Sequence, residues 1–188
     1  MTHTDGIRST READLAPIAA VQRALTAEFE RDPHGPRVAA ILGDYARRHG
    51  DWRNFAHFAD GRYTRNLVGR TETYELLVLC WDAGVASPIH DHAGQKCWMA
   101  VLEGRIEELQ YEWPGARATG PLRATGARGY EAGKVAYIDD DIALHLVRPA
   151  DGRAGISLHL YSRPIETCLA YDESTGSVLP RQLTYHSA

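Results

Sequence analysis

Gly84-Val85-Ala86-Ser87-Pro88-Ile89-His90-Asp91-His92-Ala93-Gly94-Gln95-Lys96-Cys97-Trp98-Met99-Ala100-Val101-Leu102-Glu103-Gly104 runs between two glycines and sets two histidines one residue apart, between β-rich runs. An extended chain repeats its side-chain direction every second residue. His90 and His92 therefore share a face, about 7 Å apart, close enough to converge on one cation. Alone, a His-x-His is a weak signal, because core histidines that merely pack produce it too. The surroundings set its context. Upstream, Tyr74–Trp81 is a short apolar run ending at Asp82-Ala83-Gly84. Downstream, Lys96–Glu103, Arg105–Trp113, Lys134–Asp139, Leu144–Arg148, Gly155–Ser162, Glu166–Asp172 and Pro180–His186 follow, separated by Gly, Pro and Asp turns. Many short strands at close spacing predict a sandwich or small barrel.

The first third has a different period. From Asp14 to about Asp32, Leu15, Ile18, Val21, Leu25 and Phe29 recur at helical spacing. A second helical stretch covers Val38, Ile41, Leu42, Tyr45 and Ala46, and a short third surrounds Trp52 to Phe58, with Pro33, Gly35, Pro36 and Gly50 between them. Residues 1–12 carry no periodicity and read as loose; Ala116–Gly129, rich in Gly, Ala, Thr and Arg, reads as a surface excursion. The expectation is a mostly β protein with two or three N-terminal helices packed outside. It forms one domain, helical over about 13–59 and β over about 60–188.

Composition narrows the partners. The 188 residues carry 21 basic and 25 acidic side chains, a net charge of −4, which gives no electrostatic reason to expect nucleic acid or an anionic membrane. No apolar run is long enough to span a bilayer and the polar N-terminus lacks a secretory core, so a cytoplasmic location is expected. Three cysteines, an odd number, suit a reduced compartment better than a disulfide framework. No strand or helix carries a self-pairing apolar surplus, so a monomer is expected.

Of the nine histidines, His3, His34, His49, His57 and His186 sit in polar or terminal contexts and read as exposed or structural. The other four do not. The spacing from Gly84 through His90, His92 and Cys97 to Gly104 resembles the first cupin motif, with cysteine where a glutamate ligand is usual. His145, in Leu144-His145-Leu146-Val147, lies where cupins supply their last histidine. A facial site of three neutral imidazoles leaves the ion's charge uncompensated and three coordination positions open, which draws an anionic donor such as a thiolate. Iron(II) fits open-site oxygen chemistry better than zinc. The bland alternative is a degenerate cupin whose histidines only pack.

Ser157-Leu158-His159-Leu160-Tyr161 alternates strictly, placing Ser157, His159 and Tyr161 on one face. Such a polar stripe predicts a hydrogen-bonded relay ending at the phenol, or else a satisfied structural network. In Tyr63-Thr64-Arg65-Asn66, ahead of the first barrel strand, Arg65 pointing inward would suit a substrate carboxylate.

Together these residues resemble the cysteine dioxygenases, mononuclear iron thiol dioxygenases of the cupin superfamily. The resemblance rests on Tyr63–Val68, Leu79-Cys80-Trp81, Ile89–His92 with Cys97, Leu102–Gly104, Glu112-Trp113-Pro114, His145, Ser157–Ser162, Thr167-Cys168 and Leu183–Ser187, in family order over about residues 60–187. It implies a cupin jelly roll in which His90, His92 and His145 bind one iron(II), with dioxygen as co-substrate. L-cysteine becomes cysteine sulfinic acid, both oxygen atoms ending on sulfur. It further implies that Arg65 holds the carboxylate with Tyr63, and that Tyr161 orients substrate and oxygen with His159 and Ser157 behind it. Leu79, Ile165 and Leu183 stand at substrate-binding positions. A thioether between Cys97 and the Tyr161 ring, formed by oxidation during turnover, is implied as well; Cys80 and Cys168 read as small buried hydrophobes.

There are departures. Ser162-Arg163-Pro164 replaces the Ser-Pro-Pro of animal members and sets Arg163 as a possible second cation beside the pocket. Ile165 stands where an aromatic is common and Leu183 where methionine is common. Relatives preferring 3-mercaptopropionate lack the arginine at the Arg65 position, so Arg65 favours cysteine; another thiol is the alternative, and a non-catalytic metal-binding sensor is a third reading.

Overall fold

A computed structural model describes residues 16–113 and 120–188. The expectation for residues 1–12 lies outside them, as does the first part of the excursion expected from Ala116. Among the described residues two α-helices come first, α1 (Ala16–Arg31) and α2 (Val38–Arg48), followed by a 3-10 turn at Asp51–Phe55. Eleven strands follow among the described residues: β1 (Thr64–Arg70), β2 (Glu75–Trp81), β3 (Ile89–His90), β4 (Cys97–Glu103), β5 (Arg105–Tyr111) and β6 (Ala124–Glu131). The rest are β7 (Val135–Ile138), β8 (Leu144–Pro149), β9 (Gly155–Tyr161), β10 (Thr167–Tyr171) and β11 (Val178–Gln182). They form a five-stranded sheet in the order β1-β2-β9-β4-β7 and a six-stranded sheet in the order β11-β10-β3-β8-β5-β6.

The alternation of β2, β4 and β9 decides what each face buries. Leu76, Val78 and Cys80, Trp98, Ala100 and Leu102, and Ile156, Leu158 and Leu160 pack with Leu25, Phe29, Val38 and Leu42 of the two helices. The intervening Leu77, Leu79 and Trp81, Cys97, Met99 and Val101, and Tyr161 face inward, where they meet Ile106 and Val147 of the other sheet. β2 and β9 are thus buried on both faces, which explains why Glu75–Trp81 and Gly155–Tyr161 are buried at every position. Gly104 closes the β4–β5 turn with φ +76°, and a Cβ there would sit 2.9 Å from the Ala154 carbonyl oxygen. Only glycine suits both demands.

Three elements differ from the sequence reading. Thr64–Arg70 is itself the first strand, paired along β2, rather than the approach to it. Ala124–Glu131 is a full strand against β5, not part of an excursion. Its exposed, Gly- and Ala-rich side chains hide the alternation, because the strand is held by its ladder and buries little. The last strand ends at Gln182; beyond it the chain lies across β1, with His186 N–H donating to Arg65 O at 2.7 Å and Leu67 N–H to Ser187 O at 2.9 Å.

Candidate active site

His90 and His145 are direct partners across the β3–β8 ladder. Ile89 and Leu144, one residue earlier in each strand, point into a separate cluster with Tyr111 and Tyr171, so the two histidines project into the barrel. His92 lies just past the end of β3, yet one ring nitrogen from each of His90, His92 and His145 lies within 4.8 Å of the others. The Nε2 atoms of His92 and His145 are 3.0 Å apart.

Outer partners set the tautomers. His90 Nδ1 lies 2.9 Å from the Pro88 carbonyl oxygen, His145 Nδ1 2.8 Å from Glu108 Oε1, and His92 Nδ1 3.3 Å from Asp140 Oδ1. A carbonyl and a carboxylate can only accept, so each Nδ1 carries the proton and each Nε2 turns a bare lone pair inward. Burial, with the neighbouring His92, pulls the His90 pKa down to about 3, and burial with the other two rings holds His145 well below its usual value. Both imidazoles are therefore neutral near pH 7. Two lone pairs 3.0 Å apart repel unless a cation lies between them. Nitrogens about 2.1 Å from one ion and at right angles to each other sit about 3.0 Å apart. The residues fit a divalent metal ion, held by three imidazole nitrogens.

Glu108 had no signal in the sequence beyond a carboxylate in an alternating strand. It is fully buried behind His145, and Tyr130 Oη (3.4 Å) and Gln110 Nε2 (3.3 Å) donate to its Oε2. Burial raises its pKa, against which these donors and His92 act. Asp140 is fixed by the backbone N–H groups of His92 and Gly94, each at 2.7 Å. Glu108→Gln keeps an acceptor for His145 but removes the charge that makes the imidazole a stronger donor. It is expected to weaken metal affinity by about 10–100-fold. An anaerobic competition titration against a chelator checks this; an affinity unchanged within about twofold would remove Glu108 from the site's support.

One pocket opens beside His90 and His145, and its wall includes Tyr63, Arg65, Leu79, His159, Tyr161, Ile165 and Leu183. Tyr63 stacks on Trp81 with ring centroids 5.0 Å apart, and Trp81 Nε1–H donates to Ser157 Oγ at 2.8 Å. His159 Nδ1 lies 3.4 Å from Tyr161 Oη, while the buried His159 Nε2 has no partner among the described residues. The expected relay is thus two separate halves, an indole–serine pair and a histidine–phenol pair, with no bond joining Ser157 to His159 among the described residues. The sequence could not show that the Trp81 indole would claim the serine oxygen. Burial pulls the His159 pKa down to about 3 and pushes the Tyr161 phenol well above its usual value, so both are neutral. Cys97 is the direct cross-strand partner of Tyr161, on β4 beside β9.

Arg65 is buried and projects over Tyr161, its guanidinium carbon 5.5 Å from the ring centroid. Its Nη2 donates to Glu75 Oε1 at 2.6 Å, and its buried Nε–H has no partner among the described residues. Arg163 is not at this pocket. It is exposed, follows Tyr161 with φ +105°, and borders a separate hollow with Arg70, Thr71, Glu72 and Pro164. The reversal of the chain at Ser162-Arg163 turns it outward. The second arginine on the pocket wall is Arg181, which the sequence reading passed over. It is the ladder partner of Cys168, and Cys168, although buried as expected, also lines the pocket. Cys80 lies in the core beneath the helices.

The family model for "Cysteine dioxygenase type I" matches residues 7–174. The chain is 36% identical over 152 residues to the "Cysteine dioxygenase type 1" of Rattus norvegicus, covering 80% of this chain and 76% of that protein. The protein of the same name from Danio rerio is 34% identical over 152 residues, with the same coverage. Among solved structures, a Klebsiella pneumoniae protein with a double-stranded beta-helix domain aligns with TM-score 0.48 and 14% identity, over 72% of this chain and 98% of its own.

Proposed function

We infer the division of labour in the pocket from one premise: the chain belongs to the cysteine dioxygenase type I family. It is a thiol dioxygenase that oxidises L-cysteine with dioxygen to cysteine sulfinic acid. The observation that carries the assignment of roles is the convergence of three Nε2 lone pairs beside an arginine whose buried Nε–H has no partner among the described residues, where no carboxylate joins the three histidines.

His90, His92 and His145 hold iron(II). The ion supplies the charge that deprotonates a thiol and the redox chemistry that activates dioxygen. Arg65 donates its unpartnered Nε–H to the substrate carboxylate, fixing where the thiol lies, and Tyr63 closes that side through its stack on Trp81. Tyr161 keeps its phenol proton and offers it as a hydrogen bond to substrate and oxygen, with His159 Nδ1 behind it. Ser157 acts one step further out, holding Trp81 in place. Leu79, Ile165 and Leu183 give the wall an apolar surface that excludes water.

The cross-strand pairing of Cys97 with Tyr161 supports a thioether between them. Its formation removes the thiol hydrogen and one ring hydrogen, and the two electrons and two protons pass to dioxygen. The helical part and the barrel work as one domain, supported by the single core that α1, α2, β2, β4 and β9 share. Three buried, unpaired cysteines support a reducing cytoplasm. No helix among the described residues is long and apolar enough to cross a membrane.

Oxygen uptake by iron(II)-loaded protein tests the reading, with L-cysteine and 3-mercaptopropionate in parallel and products identified by mass. One dioxygen consumed per L-cysteine, ending in sulfinate, is expected. After turnover the protein should contain a species two hydrogens lighter, absent from Cys97→Ala. Uptake with 3-mercaptopropionate alone would keep the reaction and displace L-cysteine as substrate; none with either would overturn the role assignments.

A further inference from the structure

Arg65 does not meet the pocket as a free cation. Its Nη2 donates to Glu75 at 2.6 Å, and that carboxylate is wholly buried, at 0% exposure against 7% for the arginine. Glu75 opens β2 directly across from Tyr161 in β9, so it lies behind the phenol that Arg65 covers. Its second oxygen accepts Tyr185 Oη–H at 3.1 Å; the same phenol oxygen accepts from Arg70 Nη1 at 2.9 Å, and Arg70 Nη2 meets Glu166 at 2.7 Å. A chain of charged and polar groups thus runs from the pocket wall to the surface. No part of it is needed to bind a metal, and neither the His-x-His motif nor the relay stripe accounts for it.

We propose that Glu75 is a specificity-determining residue that matches the charge of Arg65 and so limits how strongly the pocket favours thiols bearing a carboxylate. The proposal rests on the reading of Arg65 as the carboxylate-binding group. A guanidinium whose charge is matched in place can still offer a directed N–H, but a substrate anion gains less net attraction from it than from an unpaired cation. The other charged groups on the pocket wall are engaged elsewhere or open to solvent. Asp91 gives Oδ1 to the Leu169 N–H at 2.9 Å, and Arg181 is exposed to solvent, where its field is screened. In a buried setting, by contrast, one uncompensated charge acts at full strength.

Two variants move the balance in opposite directions. Glu75→Gln keeps an amide oxygen for Arg65 Nη2 and removes the negative charge. Tyr185→Phe removes the hydrogen bond on the other oxygen and leaves that charge less shared. Equilibrium binding is measured by anaerobic calorimetry on the iron(II)-loaded protein, with L-cysteine and with cysteamine, the same thiol and amine without the carboxylate. Glu75→Gln is expected to bind L-cysteine about fivefold or more tightly, while cysteamine stays within about twofold. Tyr185→Phe is expected to weaken L-cysteine by about twofold and leave cysteamine alone. Weaker L-cysteine binding in Glu75→Gln, no change, or an equal shift for both thiols would overturn the proposal and leave Glu75 a purely structural partner. If Glu75→Gln does not fold, the Tyr185→Phe result decides by the same thiol comparison. Should the unaltered protein bind cysteamine and L-cysteine equally and Arg65→Gln change neither, the failure lies earlier, in the role given to Arg65.

Discussion

His145→Ala is expected to abolish activity, because it removes one of three metal donors and strands the carboxylate behind it. The remaining His90 and His92 offer two neutral nitrogens, too few to hold a divalent ion against free water and buffer. Glu108, buried at 1% exposure, loses the N–H that it accepts at 2.8 Å. The loss of metal affinity should exceed the about 10–100-fold expected when only an outer partner is altered. Metal analysis after loading and desalting should show near-stoichiometric iron in the unaltered protein and a small fraction of that in the variant. Oxygen uptake with L-cysteine should fall in proportion. Full iron occupancy in His145→Ala would mean that the three converging lone pairs are not the metal's ligands.

Arg65→Ala should damage both catalysis and stability, through different partners. In the pocket it removes a charge-assisted hydrogen bond of about 1.5–3 kcal/mol, so kcat/KM for L-cysteine should fall roughly 10- to 150-fold. Turnover of cysteamine should fall much less. In the barrel wall it leaves Glu75 buried with no cation, and breaking a buried pair in this way costs about 3–5 kcal/mol. Burial already raises the Glu75 pKa, while Arg65, first among the opposing influences, lowers it. Without Arg65 it rises further. A carboxyl group whose folded-state pKa is raised supports the fold below its unfolded pKa, near 4.5, and loses that support as pH rises through the folded value. The stability deficit of Arg65→Ala should therefore be smallest in acid and grow toward neutral pH. Denaturant unfolding across that range would show it, and adding Glu75→Gln should recover most of the loss. A variant as stable as the parent at pH 7 would mean that water or another group satisfies Glu75.

How much of this was legible in the sequence depends on whether a residue's role is local. His90 and His92 stand out because a strand's period is short and two imidazoles one residue apart are conspicuous. The Ser157, His159, Tyr161 stripe is visible for the same reason, and the structure does turn it inward, away from Leu158 and Leu160. Gly104 marks its turn. What the sequence hides are the partners that arrive from elsewhere in the chain. Glu108 is 37 residues from His145, Asp140 48 residues from His92, and Trp81 76 residues from Ser157. A glutamate in an alternating strand looks like solvent-facing polarity until the fold places an imidazole against it. Glu75 is the sharpest case, since it begins an otherwise apolar run and gives no hint that an arginine ten residues earlier will fold back onto it. Arg163 was misplaced for the converse reason. It is close in sequence to Tyr161, but its left-handed backbone turns it away, whereas Arg181 reaches the pocket through ladder pairing with Cys168.

The pairing of His90 with His145 also bears on the order in which the molecule comes together. β1 and β2 are neighbours in sequence and can zip locally, as can β10 and β11. β3, by contrast, is two residues long and meets β8 across a separation of 55 positions. Its ladder offers little enthalpy to offset the entropy of closing so long a loop, so it is expected to form after flanking strands have fixed both ends. Three coordinating side chains therefore come within reach of one another late, after most of the scaffold exists. A divalent ion would thus meet a largely assembled cage rather than a nucleus around which the chain condenses, and its binding would add to the stability of the fold by mass action.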